Sequence, residues 1–183
     1  MAFSTRIRRA RTLGFGVVVG FAALIVGAGP ALAATTQPFR GTFSGTTMFT
    51  ACPPGTPNTI VCYTGLEPGA VTSPPAGPAT EVDHGFLDEG HPNAAGCIPN
   101  YALAVITATN GSGTLYLVDR DFVCGLATGN ISEVDGTWQA LGGTGVFDDA
   151  RGSGTYLVSG ITVSQTGGAA TITYNTGNIT TGG

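Results

Sequence analysis

Gly142-Gly143-Thr144-Gly145-Val146-Phe147-Asp148-Asp149-Ala150-Arg151-Gly152-Ser153-Gly154 is the stretch on which the fold reading turns. Its glycines permit a sharp chain reversal with positive φ. Phe147 and Ala150 are placed to pack inward over that reversal, and Gly152 and Gly154 leave room for a neighbouring backbone. Upstream, Tyr101 to Thr109 (YALAVITAT) and Thr114 to Val123 (TLYLVDRDFV) read as strands joined by Asn110-Gly111-Ser112-Gly113, because Asn-Gly makes the tight turn a hairpin needs. A second hairpin is expected from Ile131–Val134 to Thr137–Leu141 across Asp135-Gly136. A last one runs from Gly154–Gln165 to Ala169–Asn175 around Gly167-Gly168. Toward the N-terminus, Phe39 to Thr50 alternates apolar residues with Gly, Ser and Thr, and Thr59 to Thr64 is a short β-branched run. Residues 65–99 show no sustained period and are expected to form a long Pro/Gly-rich loop, either a surface excursion pinned by Cys97 or the site of function. The fold class that follows is all-β: a single antiparallel β-barrel of about eight strands, with a β-sandwich as the alternative.

The order G-G-T-G-x-F-x-x-A-x-G over residues 142–152 resembles the turn of the allene oxide cyclase and dirigent barrels, and of small secreted bacterial proteins that share the barrel. Asn110-Gly111-Ser112-Gly113-Thr114-Leu115 and Gly136-Thr137-Trp138 are similar to strand starts that lie upstream of that turn in those proteins. The resemblance runs from Tyr101 to Ile179 and implies the barrel. It also implies, as one function class, an enzyme that steers a reactive hydrophobic intermediate by shape. Val146 stands where a basic residue is frequent, and the family's acidic and amide active-site residues have no assigned positions here, so no catalytic residue is carried over.

The chain opens with a basic segment holding Arg6, Arg8, Arg9 and Arg11, followed by an apolar run from Leu13 to Ala28 and then Ala31-Leu32-Ala33. This is the pattern of a signal peptide over residues 1–33, cleaved between Ala33 and Ala34 or one residue later. The apolar run is shorter than the roughly 20 residues a spanning helix needs, so a secreted protein with no membrane anchor after leader removal is expected. The leader carries four of the seven Arg and none of the eleven acids, so residues 34–183 have a formal charge of 3 − 11 = −8. A surface of that sign repels phosphate backbones and excludes nucleic acid and anionic membrane as partners.

Four cysteines in an exported chain read as two disulfides. Cys52 and Cys62 bracket a turn-rich stretch and are the favoured pair, which leaves Cys97 with Cys124; the short C-x-x-C spacing of a zinc site is absent.

Asp83, His84, Asp88, Glu89 and His91 crowd together, but their spacing matches no metal loop, so a solvated acidic loop is expected with no metal and no cofactor. A general-base role for His84 or His91 lacks a marked nucleophile, and there is no G-x-S-x-G elbow. Asp148-Asp149-Ala150-Arg151 reads as a turn tip with a surface ion pair. Asn110, Asn130 and Asn178 begin N-x-Ser/Thr patterns of the kind a Thr-rich chain carries by chance. Along TLYLVDRDFV, alternation puts Arg120 on one face with Tyr116, Val118 and Phe122, and Asp119 and Asp121 on the other. If the Arg120 face lines the barrel, Tyr116, Arg120 and Trp138 are the candidate ligand-binding residues, suited to a small carboxylate or phenol. If it lies outside, Arg120 screens its acidic neighbours.

Three function classes follow. The first is a non-enzymatic secreted barrel holding a small apolar molecule. The second is a lyase-like or isomerase-like enzyme, which requires a buried carboxyl or Tyr facing the lumen with a displaced pKa. The third is a cell-surface module that binds an extracellular polymer through the 65–99 loop.

Overall fold

A computed structural model describes residues 34–73, 76–126, 129, 131 and 133–182. The expected leader, with Ala33, and Asn130 lie outside the described residues. Nine strands are found among them: β1 (Thr35–Pro38), β2 (Gly41–Thr50), β3 (Ile60–Val71), β4 (Gly77–Asp88), β5 (Ile98–Ala108), β6 (Gly113–Val123), β7 (Val134–Gly145), β8 (Arg151–Ser164) and β9 (Gly167–Thr181). Every strand from β2 to β9 pairs antiparallel with the next, and β9 returns to β2 from Gly41↔Tyr174 to Met48↔Gly167. That last pairing closes an eight-stranded up-and-down barrel, which leaves no open sheet edge. β1 pairs with the remainder of β9, Thr35↔Thr181 to Pro38↔Asn178, so β1 and β2 behave as one strand interrupted at Phe39-Arg40.

The turns follow from local chemistry. Between β5 and β6, Gly111 takes a φ of 74°, and Asn110 Oδ1 accepts the Ser112 N–H at 2.9 Å. At the end of β7, Gly145 (φ 61°) starts a reversal in which Asp149 also enters the left-handed region (φ 54°). Phe147 and Ala150 are buried inside the barrel, as their spacing implies. A Cβ on Gly152 or Gly154 would lie 2.0 Å from the carbonyl oxygen of Asn178 or Thr176, so β9 can pair closely only with glycine there. Both expected disulfides form, Cys52–Cys62 and Cys97–Cys124, with Cα separations of 5.3 and 4.2 Å.

Two expectations are overturned. Residues 65–99 are not a bare loop: β3 runs on to Val71, and β4 pairs with it from Ile60↔Asp88 to Val71↔Gly77. The pattern is unreadable as strand because Gly65, Glu67, Glu81 and Asp83 take inward positions beside the apolar Val71, Ala79 and Leu87, so the buried face is not uniformly apolar. Asp135-Gly136 is likewise no turn but lies within β7, where Gly136 pairs with Tyr156. A Cβ on Gly136 would sit 2.2 Å from the Tyr156 ring, and the missing side chain is what seats that ring in the lumen.

The lumen has two halves. Around the β3–β4, β5–β6 and β7–β8 turns it is filled by a plug that includes Phe39, Phe43, Ile106, Leu115, Trp138, Phe147 and Ile179. Phe39 and Trp138 meet edge to face at 5.2 Å, and the Trp138 indole N–H donates to the Thr176 carbonyl at 3.1 Å. The opposite end, framed by the two disulfides, is hollow.

Candidate functional site

Between plug and hollow lies a layer of carboxyl groups. β3 supplies Glu67, β4 supplies Glu81 and Asp83, and β6 supplies Asp119 and Asp121, all five buried. Alternation places each one inward: Asp119 and Asp121 continue the inward phase of Leu115 and Leu117, and Glu81 and Asp83 that of Ala79. Three tyrosines share the layer. Tyr174 O–H lies within hydrogen-bond distance of Glu81 Oε1 and is 2.8 Å from Asp119 Oδ2, Tyr156 O–H donates to Asp121 Oδ2 at 2.5 Å, and Tyr63 O–H donates to Asn100 Oδ1 at 2.9 Å. Asn100 in turn donates through Nδ2 to Asp121 Oδ2 at 3.0 Å. Glycines make room for these rings: Gly85, opposite Tyr63 in the register, has no Cβ where one would lie 2.3 Å from the Tyr63 ring.

Proton bookkeeping restricts the charge of this layer. The one proton on the Tyr174 hydroxyl can serve Glu81 or Asp119 but not both. The second of those close contacts is a hydrogen bond only if that carboxyl is itself protonated and donates to the tyrosine oxygen. Burial acts in the same direction on the whole cluster, since it removes solvation from the charged form of every acid. Desolvation, with Asp83 adding repulsion, raises Glu67 to about 8; desolvation with Asp121 nearby raises Asp83 to about 7. Glu81 and Asp119 are pushed well above the usual carboxyl range, by burial first and then by Asp83, and burial raises Asp121 too. Tyr63, Tyr156 and Tyr174 are raised as well by burial beside the acids, so they remain neutral donors. One oxygen on each acid has no hydrogen-bond partner: Glu67 Oε2, Glu81 Oε2, Asp83 Oδ1, Asp119 Oδ1 and Asp121 Oδ1.

Above the carboxyls opens a cavity of about 140 Å³. Glu67, Asp83, Asp119 and Asp121 form its floor, and Phe49, Leu87, Val134, Val158 and Ile172 belong to its walls. A buried apolar cavity of about 150 Å³ accepts a benzene-sized guest. The space therefore suits a small molecule with a ring-sized apolar body and a polar end turned toward the acids.

The residues singled out from the sequence are distributed otherwise. Tyr116 and Arg120 stand on the outer face of β6, so the lumen arrangement considered for them is corrected: Arg120 is exposed, while Asp119 and Asp121 point in. Trp138 is inside the barrel but belongs to the plug and is absent from the cavity wall. Asp83 and His84 face opposite sides of β4, and His91 meets Asp88 at 2.8 Å beyond its end, so the five clustered residues do not converge. The acid layer did have a signal in the sequence, the shared phase of Leu115, Leu117, Asp119 and Asp121.

No family model matches the chain, and no curated protein matches it. Among solved structures it is similar to the pterocarpan synthase dirigent protein GePTS1 (14% identity, TM-score 0.47, covering 82% of this chain and 86% of that one). It is similar also to the pterocarpan synthase dirigent protein PsPTS1 (15% identity, TM-score 0.45, covering 83% of this chain and 97% of that one).

Proposed function

We propose that the lumen is the active site of a secreted enzyme of the lyase or isomerase type, in which buried carboxylic acids hydrogen-bond or protonate the polar end of a small apolar substrate while the walls set its shape. One observation carries this reading: the buried carboxyl groups of Glu67, Asp83, Asp119 and Asp121, each raised above the ordinary carboxyl range by burial, line the floor of a cavity whose walls are largely apolar. A neutral carboxylic acid is a stronger proton donor than water, and burial holds its proton in a fixed direction. Asp119 is the residue placed to give the proton, since it lines the cavity and also contacts Tyr174. After transfer, Tyr174 can give its hydroxyl proton to the new Asp119 carboxylate as its oxygen takes the proton of Glu81 on the far side, which leaves Asp119 protonated and Glu81 ionised until the proton released by the attacking water restores it. The carrier reading shares this cavity and differs in lacking turnover. The surface-module reading depended on a bare 65–99 loop, most of which is strands β3 and β4.

A para-quinone methide bearing one methyl group on its exocyclic carbon, so that hydration makes that carbon stereogenic, is the probe that tests the proposal: it is an apolar ring with one basic carbonyl oxygen. Its conversion to the water adduct in the presence of the exported protein is expected to run faster than in buffer and to favour one enantiomer. Asp119→Asn should lower the rate enhancement by about 100-fold. A racemic product formed at the buffer rate would remove the reading.

A further inference from the structure

The wall that β8 gives to the lumen is shaped by a bulge. β8 pairs with β9 at Ser159↔Thr171 and again at Thr162↔Ala169, so it carries one residue more than its partner across that step. Gly160 takes a φ of 63°, in the left-handed region, and accommodates the extra residue. Strict alternation from Tyr156 and Val158 would send Gly160, Thr162 and Ser164 inward. The bulge moves the phase by one, and the apolar Ile161 and Val163 take the lumen side instead. Thr162 is exposed at the cavity edge, where its Oγ1 accepts the Ala169 N–H at 3.2 Å.

From the acids outward, the lumen residues of β8 are Tyr156, buried with its O–H on Asp121, then Val158 and Ile161, both half-buried, and last Val163, which is 42% exposed. Two residues of strand at ~3.3 Å each set these rows about 7 Å apart, so Ile161 stands at the mouth, two rows above the carboxyls. Beside it β9 lines the cavity with Gly167, Gly168, Ala169 and Ala170, none of which carries more than a methyl group. The 140 Å³ cavity holds about one ring, so whatever that ring carries at its outer end meets Ile161 and Val163.

We infer that Ile161 and Val163 form a collar that selects the substrate by the group it carries at the end away from the acids: a methyl group fits and a branched alkyl group does not. This rests on the lumen being the reaction site, as in the proposed function. It adds the substrate class, a ring with one hydrogen-bond-accepting oxygen and a short outer substituent. One methylene too many in a bounded apolar pocket is worth about 10–200-fold in preference. The bulge has a definable use here. Without the change of phase the hydroxyls of Thr162 and Ser164 would stand where the collar is, and they would hold water instead of closing on an alkyl group.

The test uses two para-quinone methides on the exported protein at about pH 6, below the values of Asp83 and Glu67. One bears a methyl and the other an isopropyl group on the exocyclic carbon, and each rate is divided by its own rate in buffer. The methyl compound is expected to be favoured by about tenfold or more in kcat/KM. Ile161→Ala should raise kcat/KM for the isopropyl compound by about tenfold, with Ile161→Val between it and the parent. Val163→Ala should raise it less, because Val163 is the more exposed of the two. A gain for the larger compound is not produced by a damaged fold. Equal acceleration of both compounds by the parent, or a preference unchanged in Ile161→Ala, overturns the collar and leaves the lumen reaction standing. Calorimetric titration of the unreactive analogues 4-ethylphenol and 4-isobutylphenol reads the same selection without turnover. The parent should bind 4-ethylphenol about tenfold or more tighter, and Ile161→Ala should narrow the gap. Equal binding of the two phenols overturns the collar. If the phenols are selected but neither quinone methide is accelerated, the proposed reaction falls and the collar stands; if neither phenol binds and neither compound is accelerated, both fall.

Discussion

Raising the pH from about 5 to about 8 should destabilise this protein, with a slope set by the lumen acids. Glu67 and Asp83 have ordinary values of 4.5 and 3.8 when exposed, and about 8 and 7 in the folded barrel. Their folded values are raised, so the folded state binds protons that the unfolded state has released. The stability they contribute is complete below about pH 4 and is lost as the pH rises through about 7 and then 8. Across about pH 5.5 to 6.5 both are protonated when folded and ionised when unfolded. Two protons taken up on folding correspond to a loss of about 2.7 kcal/mol over that one pH unit. Glu81, Asp119 and Asp121 are raised too and act with the same sign, so the measured slope should be at least this steep. Guanidinium denaturation followed by fluorescence of the buried Trp138, disulfides intact, at closely spaced pH values reads the slope directly. Glu67→Gln, which keeps the shape and removes one titrating group, should reduce it by about 1.4 kcal/mol per pH unit. Stability that is flat or rising over this interval would refute the claim that the carboxyls are held neutral, and a Glu67→Gln variant with the full slope would refute the part assigned to Glu67.

Two further outcomes follow from the packing. Gly85→Ala places a Cβ 2.3 Å from the Tyr63 ring and should cost about 1–3 kcal/mol in denaturation midpoint experiments, with loss of the Tyr63–Asn100 hydrogen bond. Opening Cys97–Cys124, whose ends are 27 residues apart, by Ala substitution at both should cost about 3.6 kcal/mol by loop entropy; opening Cys52–Cys62, 10 residues apart, should cost about 2.8 kcal/mol in the same assay.

How much was legible beforehand depends on how local the cause is. The Asn110-Gly111 turn and the reversal at residues 142–154 are written in glycines and an asparagine whose backbone preferences act within a few residues, and both stand in the structure. The Cys52–Cys62 pair was reachable because a hairpin brings its own ends together, and Cys97–Cys124 followed by elimination. The extension of β3 and the existence of β4 were not, because a strand with Glu67, Glu81 and Asp83 on its buried face lacks the apolar alternation by which strands are found. The site failed to show for a related reason. Alternation separated Arg120 from Asp119 and Asp121 correctly, but period two only says that there are two faces, and the ordinary expectation that charge faces water is violated here by both aspartates at once.

The sequence by itself therefore determined an all-β chain, the turns at residues 110–113 and 142–154, and a favoured pairing of its four cysteines, since each depends on residues that are near one another in the chain. Only the tertiary structure decided that β9 closes on β2, and closure is what gives the sheet an inside. With an inside defined, acids contributed by β3, β4 and β6, far apart along the chain, meet in one buried layer where their charged forms are poorly solvated. Their shared protonation, and the chemistry proposed for it, belongs to that meeting and to no residue alone.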